Sequence, residues 1–353
     1  MKLKARNLKH PSGIELVTPL FVPSYSSKGF ALVPKKGGKL QSEVCQAIII
    51  AKEMLVESQL VSAYDLHYEY LLDPPDFIST ELTFIDSGGY ETSSSFDLSE
   101  TRRCNTEHEE WNIDLLNKVI EEWQYERFPA VIVSFDDETQ RKSIKEQIDE
   151  ASCFFLKHKD YLHDFLIKPE TLDEKYIQID SLLSFIGDLK EFHIIGITEK
   201  ELGKSIFERM IRINKIRSSL DSHKINAPIH IFGSLDPISV ILYFLAGAEI
   251  FDGLTWLKYS YFQGVAMYTN NLCAMDENIQ ITATDSQVKA RSITTNIYYL
   301  DRLKNALVEF RNSNNFNVFD DLYHGLGSII EKNYLIYNNR KKNKSWEVQV
   351  VVF

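Results

Sequence analysis

The sequence predicts an α/β fold, a single closed (β/α)8 TIM barrel with a C-terminal helical extension. Three observations predict it. Short apolar, β-branched runs recur eight times along the chain. Near-continuous apolar strands of this kind mark a parallel sheet buried on both faces. Helical patterns separate several of them, and strands alternating with helices are the pattern of a parallel α/β sheet.

In chain order the eight runs are Leu20–Tyr25, Gln59–Asp65, Thr83–Gly89, Ala130–Asp136, Asp164–Pro169, Phe192–Thr198, Ile229–Ser234 and Glu249–Leu254. Each ends in a polar or glycine-containing turn. Helical spacing covers Ser42–Glu57 and Asn112–Glu126, the latter with Trp111, Leu115, Leu116, Val119, Ile120 and Trp123 on one stripe. Leu202–Leu220 and Asp236–Ala246 are two more. Asp236-Pro237 reads as an N-cap followed by proline in the first turn, and Gly247 as the stop. After the eighth strand, Asp276–Ser292 is polar and gives no clear element, and a helix is expected over Thr295–Phe310. The strands thus lie at about 20–254, with an extension over 260–353 in the same single domain, 1–353. A doubly wound open sheet is the alternative, but no GxGxxG or phosphate-binding loop follows a strand.

The chain has 353 residues, 44% hydrophobic and 25% charged, ordinary for a soluble globular protein. A net charge of −11 argues against a strongly basic nucleic-acid binder, though not against a local basic patch. The cysteines, Cys45, Cys104, Cys153 and Cys273, form no CxxC pair and read as ordinary small buried residues in a reducing compartment. No apolar run reaches the roughly 18 residues of a membrane span, and no signal peptide is apparent, so a cytoplasmic location without a membrane partner is expected.

In such barrels chemistry sits at the C-terminal ends of the strands. Acids stand there on four of them: Asp65, Asp86, Asp136 with Asp137, and Asp252. Lys168, Gly196 and Gly233 hold the corresponding places on three others. One strand-end acid is open to a structural reading, because aspartate caps the following helix. Four converging acids favour a site, since crowded like charges raise one another's pKa and separate an acid from a nucleophile. Gly88 and Gly89 follow Asp86 directly, which allows close backbone approach to a flat ligand or simply a tight turn. Gly196 and Gly233 carry the same two readings.

Several segments resemble the tRNA-guanine transglycosylases. Thr83-Phe-Ile-Asp-Ser-Gly-Gly-Tyr90 resembles their DSGGF motif, and Val133-Ser-Phe-Asp-Asp137 their FDE segment. Ile195-Gly-Ile-Thr-Glu-Lys-Glu201 is similar to the glycine-containing strand that holds the base, and Ala246-Gly-Ala-Glu-Ile-Phe-Asp252 to G-x-D-x-F-D. Thr18-Pro-Leu-Phe-Val-Pro23 is similar to the TPxFxP start. The resemblance implies a cofactor-free pentosyl transfer, in which a nucleic-acid guanine is displaced at C1′ and a free 7-deazaguanine takes its place. By motif position Asp252 is the implied nucleophile and Asp86 the implied acid and base. Asp136 would bind the guanine-like edge, with backbone groups of Gly196 and Ile197, and Tyr90 would stack on the base. Asp65, Asp137, Gly88, Gly89, Lys168 and Gly233 complete the expected substrate-binding set.

The sequence also departs from that family. The CxCxxC cluster and histidine of its zinc site are missing; only Cys273 lies in the region, and Thr295 stands at the histidine's place. A tetrahedral structural site needs about four N or S ligands, so no metal is expected. Lys168 replaces a glutamine, Glu91 replaces another, and Thr255-Trp-Leu-Lys258 replaces an arginine-bearing turn. Base recognition and polymer docking are therefore altered, which favours the DNA-acting relatives slightly over the tRNA enzymes. The best basic cluster is the tail Arg340, Lys341, Lys342 and Lys344, which also reads as a solvated end. A non-catalytic accessory subunit with a protein partner and a nucleoside or glycoside hydrolase are the alternatives.

Overall fold

The computed structural model describes residues 3–35, 38–93, 98, 108–124, 126–137 and 139–342. Eight strands form a closed barrel: β1 (Leu20–Tyr25), β2 (Ser58–Ser62), β3 (Leu82–Asp86), β4 (Ala130–Val133), β5 (Leu162–Ile167), β6 (Ile194–Thr198), β7 (Ile229–Phe232) and β8 (Ile250–Gly253). Every pairing around the ring is parallel. β8 closes onto β1, with Ile250 opposite Leu20 and Asp252 opposite Val22. Each of the eight apolar runs supplies one barrel strand.

Alternation along the strands explains why the runs are apolar throughout. Leu20, Val22, Leu60, Phe84, Val131, Val133, Leu162, Leu166, Ile194, Phe232 and Ile250 pack together inside the ring. Their neighbours Phe21, Val61, Ile85, Ile132, Phe165, Ile195, Ile231 and Phe251 face outward into the larger core beneath the helices. Both faces are buried, so neither can be polar without a partner. The same parity aims Ser24, Asp86, Asp164, Gly196, His230 and Asp252 at the interior, and Ile197 away from it.

The helices differ from the sequence expectation mainly at their ends. Ser42–Glu57 contracts to Val44–Ala51, and Asn112–Glu126 to Ile113–Glu122, where the Asn112 side chain accepts from the Asp114 and Leu115 N–H groups. Residue 125 lies outside the described residues. The helix expected from Leu202 begins at Ile206, because the Ser205 hydroxyl caps it through Glu208 N. Pro237–Ala246 is capped as expected, by Asp236 on Ser239 N and by Gly247 in the left-handed region.

The extension is more helical than its polarity suggested. One helix spans Asp285–Ser313, opened by a Thr284/Gln287 capping box, so Thr295 sits in its interior and not at its start. Another runs over Leu326–Lys342. Asn296 is fully buried and binds the hairpin Tyr259–Phe262/Val265–Tyr268 to the long helix. It accepts from Tyr261 N (2.6 Å) and donates to the Trp256 and Tyr259 carbonyls (both 2.7 Å). Leu303, Leu307, Phe310, Phe319 and Tyr337 of the extension share the outer barrel core. A second hairpin, Asn7–Lys9/Glu15–Val17, plugs the opposite end of the ring with Leu8 and Leu16. Among the described residues no helix is long and apolar enough to cross a membrane.

Candidate active site

A cleft opens at the C-terminal ends of the strands, lined by Ser24, Asp86, Tyr90, Glu91, Asp136, Lys168, Phe232, Gly233 and Asp252 among others. Six of the residues expected from sequence therefore converge there: Asp86, Tyr90, Asp136, Lys168, Gly233 and Asp252.

Asp252 ends β8 and is 5% exposed. Its Oδ2 accepts from the Ser24 hydroxyl (2.8 Å) across the seam with β1. Its Oδ1 accepts from Gly233 N (2.9 Å) and lies 3.4 Å from His230 Nε2. Asp86 ends β3. Burial, with Glu91 and Asp252 adding negative charge, holds its carboxyl well above the ordinary value. Glu91 is itself buried behind it and is raised by burial, although the Ser26 hydroxyl and the Ser62 hydroxyl (2.6 Å) donate to it.

A second cluster forms the other wall. Lys168 Nζ lies 2.9 Å from Asp136 Oδ2 and 3.0 Å from Glu201 Oε1. Arg141 donates to Asp136 Oδ1 (2.7 Å), and the Thr198 hydroxyl donates to Glu201 (2.5 Å). Burial alone would raise the Asp136 carboxyl, but Lys168 and Arg141 hold it below its usual range. Burial would likewise lower Lys168, yet Asp136 and Glu201 keep it raised. Both Asp136 oxygens are thus engaged by cations, a competing demand on any base edge that approaches them.

The remaining expected residues lie outside the cleft lining. Asp65 is fully buried and binds the β1 loop, accepting from Ser27 N (2.6 Å) and the Ser27 hydroxyl (2.5 Å). Asp137 accepts from Thr139 N and Oγ1 and organises its own loop. Gly88 has φ +86°, and a Cβ there would fall 2.6 Å from the Trp111 ring nitrogen, so its turn needs glycine. Gly89 passes close to Asp136. Ile197 points outward.

Gly196 has a different purpose. A Cβ there would lie 2.5 Å from the Phe232 ring and 2.7 Å from Asp164 Oδ1. It leaves room for a buried pair that the sequence reading passed over. Asp164 Oδ2 and His230 Nδ1 are 2.7 Å apart, both fully buried, with the Phe232 ring 3.9 Å above the imidazole. Burial by itself would lower His230, but Asp164 and then Asp252 outweigh it and push the imidazole up to about 9. Burial raises Asp164, opposed by His230. Asp164 and His230 had a signal: each is a polar residue whose inward-facing neighbours on the same strand are apolar. Ser24, Arg141 and Glu201 had none comparable.

A scan against models of protein families matches none, and no curated protein matches the sequence. The site therefore has to be read from its own chemistry. It offers one carboxyl pushed well above its ordinary value, a second that accepts from two neutral donors and lies 3.4 Å from an imidazole nitrogen, and an apolar floor of Leu60, Leu166 and Phe232. Among the described residues no three His, Cys, Asp or Glu side chains are grouped to hold a metal ion. Cys104, and Lys344 of the basic tail, lie outside the described residues.

Proposed function

We propose that this chain is a base-exchange transglycosylase acting on a guanine of nucleic acid, with DNA the favoured polymer and a free 7-deazaguanine the incoming base. The observation that carries this reading is the unequal pair Asp86 and Asp252 in one cleft. A glycosidic carbon that develops oxocarbenium character needs an anionic carboxylate on one side and a proton at the departing base. Asp252, held by Ser24, Gly233 and His230, has the environment of the anion. Asp86, whose carboxyl is pushed well above its ordinary value by burial and by two neighbouring acids, has that of the proton donor.

In the first step an Asp252 oxygen bonds to C1′ and the bond from C1′ to the guanine nitrogen breaks. Its electron pair stays on the base, which takes the Asp86 proton. The 7-deazaguanine then gives its ring N–H proton to Asp86 as that nitrogen attacks C1′, and the ester bond to Asp252 breaks. Both carboxyl groups return to their starting states, so no redox cofactor is consumed. The choice of polymer and base rests on the motif resemblance and on the altered positions Lys168, Glu91 and Lys258.

The test is covalent trapping of oligonucleotide together with incorporation of a labelled 7-deazaguanine into DNA and into tRNA. Asp252→Ala is expected to abolish both signals, and Asp86→Asn to reduce exchange by about 10²-fold or more. Full incorporation by Asp252→Ala would remove the nucleophile assignment. Release of free guanine without replacement identifies a hydrolase instead, and binding without either signal an accessory subunit.

A further inference from the structure

Beneath the cleft the ring interior holds three ionisable side chains in line, Asp164 from β5, His230 from β7 and Asp252 from β8. We infer that His230, anchored by Asp164, is a positioning residue: a buried imidazolium that orients Asp252 and balances its charge so that it stays an open carboxylate facing the sugar. The inference rests on the proposed nucleophilic role of Asp252 and extends it downward into the barrel.

The geometry is specific. His230 Nδ1 meets Asp164 Oδ2 at 2.7 Å, which leaves Nε2 as the nitrogen facing Asp252, 3.4 Å from its Oδ1. His230 and Asp164 are wholly excluded from solvent. His230 Nε2 and Asp164 Oδ1 are both buried without a hydrogen-bonding partner, and Asp252 Oδ1 at 3.4 Å is the carboxylate oxygen that Nε2 faces. A neutral histidine would leave its buried pair with a bare carboxylate, a costly arrangement. An imidazolium between two carboxylates satisfies both with one charge.

Among the described residues, the other side chains packed directly on the imidazole are aromatic. β6 presents Gly196 to this layer, and β3 presents Phe84, whose ring stands edge-on 5.6 Å from the imidazole. Phe232 covers it from above. Asp164 and Asp252 are the charged groups that act on His230, and Asp252 in turn raises Asp86.

The arrangement also distinguishes the two nucleophile oxygens. Oδ1 faces Gly233 N and the imidazole, whereas Oδ2 has the Ser24 hydroxyl alone. Oδ2 is the less stabilised oxygen and the one assigned to attack. Asp164 and His230 touch no substrate. Their effect on the reaction passes through the position and charge of Asp252.

The test is a pH titration of ring-nitrogen-labelled His230 by NMR on the full chain, which needs no substrate. In the wild type the imidazolium should persist to a midpoint near 9. Asp252→Asn and Asp164→Asn should each lower that midpoint, Asp164→Asn by more. A midpoint at or below the ordinary 6.5 overturns the inference, as does a midpoint that ignores Asp252→Asn. In exchange assays Asp164→Asn and His230→Gln should cut kcat by about 10²-fold with KM for the polymer unchanged. Asp164→Asn should also bring the alkaline fall in rate to lower pH, which a merely structural loss would not do. A wild-type chain with the titration coupling but no base exchange supports the relay and defeats only the proposed reaction.

Discussion

Asp65, Asp86, Glu91 and Asp164 are acids pushed upward by burial within one barrel, and His230 is a base pushed upward by two carboxylates. Raised folded values of both kinds act in one direction. A raised carboxyl contributes stability fully below its unfolded value of about 4, and loses it as pH rises through the folded value. Charged His230 contributes fully below 6.5, and loses that as pH rises through about 9. Asp136, depressed by Lys168 and Arg141, works oppositely: its contribution is present above about 3.9 and lost as pH falls through its depressed value. The melting temperature is therefore expected to decline from mildly acidic pH towards pH 9. Asp86→Asn should make that decline shallower, because it removes one titrating group. Calorimetry at stepped pH checks this, and a melting temperature that climbs over the same interval contradicts it.

Among the elements, the strands were legible and their contents only partly so. Burial on both faces makes each strand an unbroken apolar run, and that pattern survives in a single sequence. The cap at Asp236 was legible because its hydrogen bond is local. The three-residue hairpin strands and the helix Leu326–Lys342 were not, because their stability comes from docking onto a surface that is distant in sequence. In the site, Asp86 and Asp252 stood out as acids at strand ends. Asp164 and His230 hid inside strands, where a lone polar residue is easily passed over as an imperfection in the pattern. Gly196 was read as a place for a ligand or a tight turn, and a Cβ there would meet the Phe232 ring and Asp164. Gly196→Ala is expected to displace Phe232 or Asp164, to cost about 1–3 kcal/mol and to lower exchange activity. Gly187→Ala, at an open position, should stay within about 0.5 kcal/mol. Urea melts of the two variants separate them. Equal stability would mean that β6 accommodates the methyl group and that glycine is not required there.

Across the molecule the barrel places a buried ion-pair network and the candidate site at opposite ends. Below the ring, Arg6 donates to Glu249 (2.6 Å), Asn226 (2.6 Å) and Asp221 (2.9 Å) from a site 3% exposed. Glu249 immediately precedes β8, so one end of that strand is fixed by an ion pair and the other carries Asp252. Arg6→Ala leaves Glu249 with Arg217 3.7 Å away, and is expected to cost about 3 kcal/mol in chemical denaturation. Exchange kinetics below the melting temperature should be unaffected. A large fall in kcat without a loss of stability would show that the two ends are coupled.

The seam between β8 and β1 also sets a timetable for biosynthesis. Ser24 and Asp252 are separated by 228 positions. At about 5–20 residues per second a ribosome takes roughly 11–46 s to travel from one to the other. From residue 86 onward the growing chain has Asp86, the proposed proton donor, but neither the proposed nucleophile nor a closed ring to hold it. On the proposed mechanism, an unfinished or prematurely terminated product that stops before residue 252 has no means of attacking a sugar, and reactivity arrives only with the final strand.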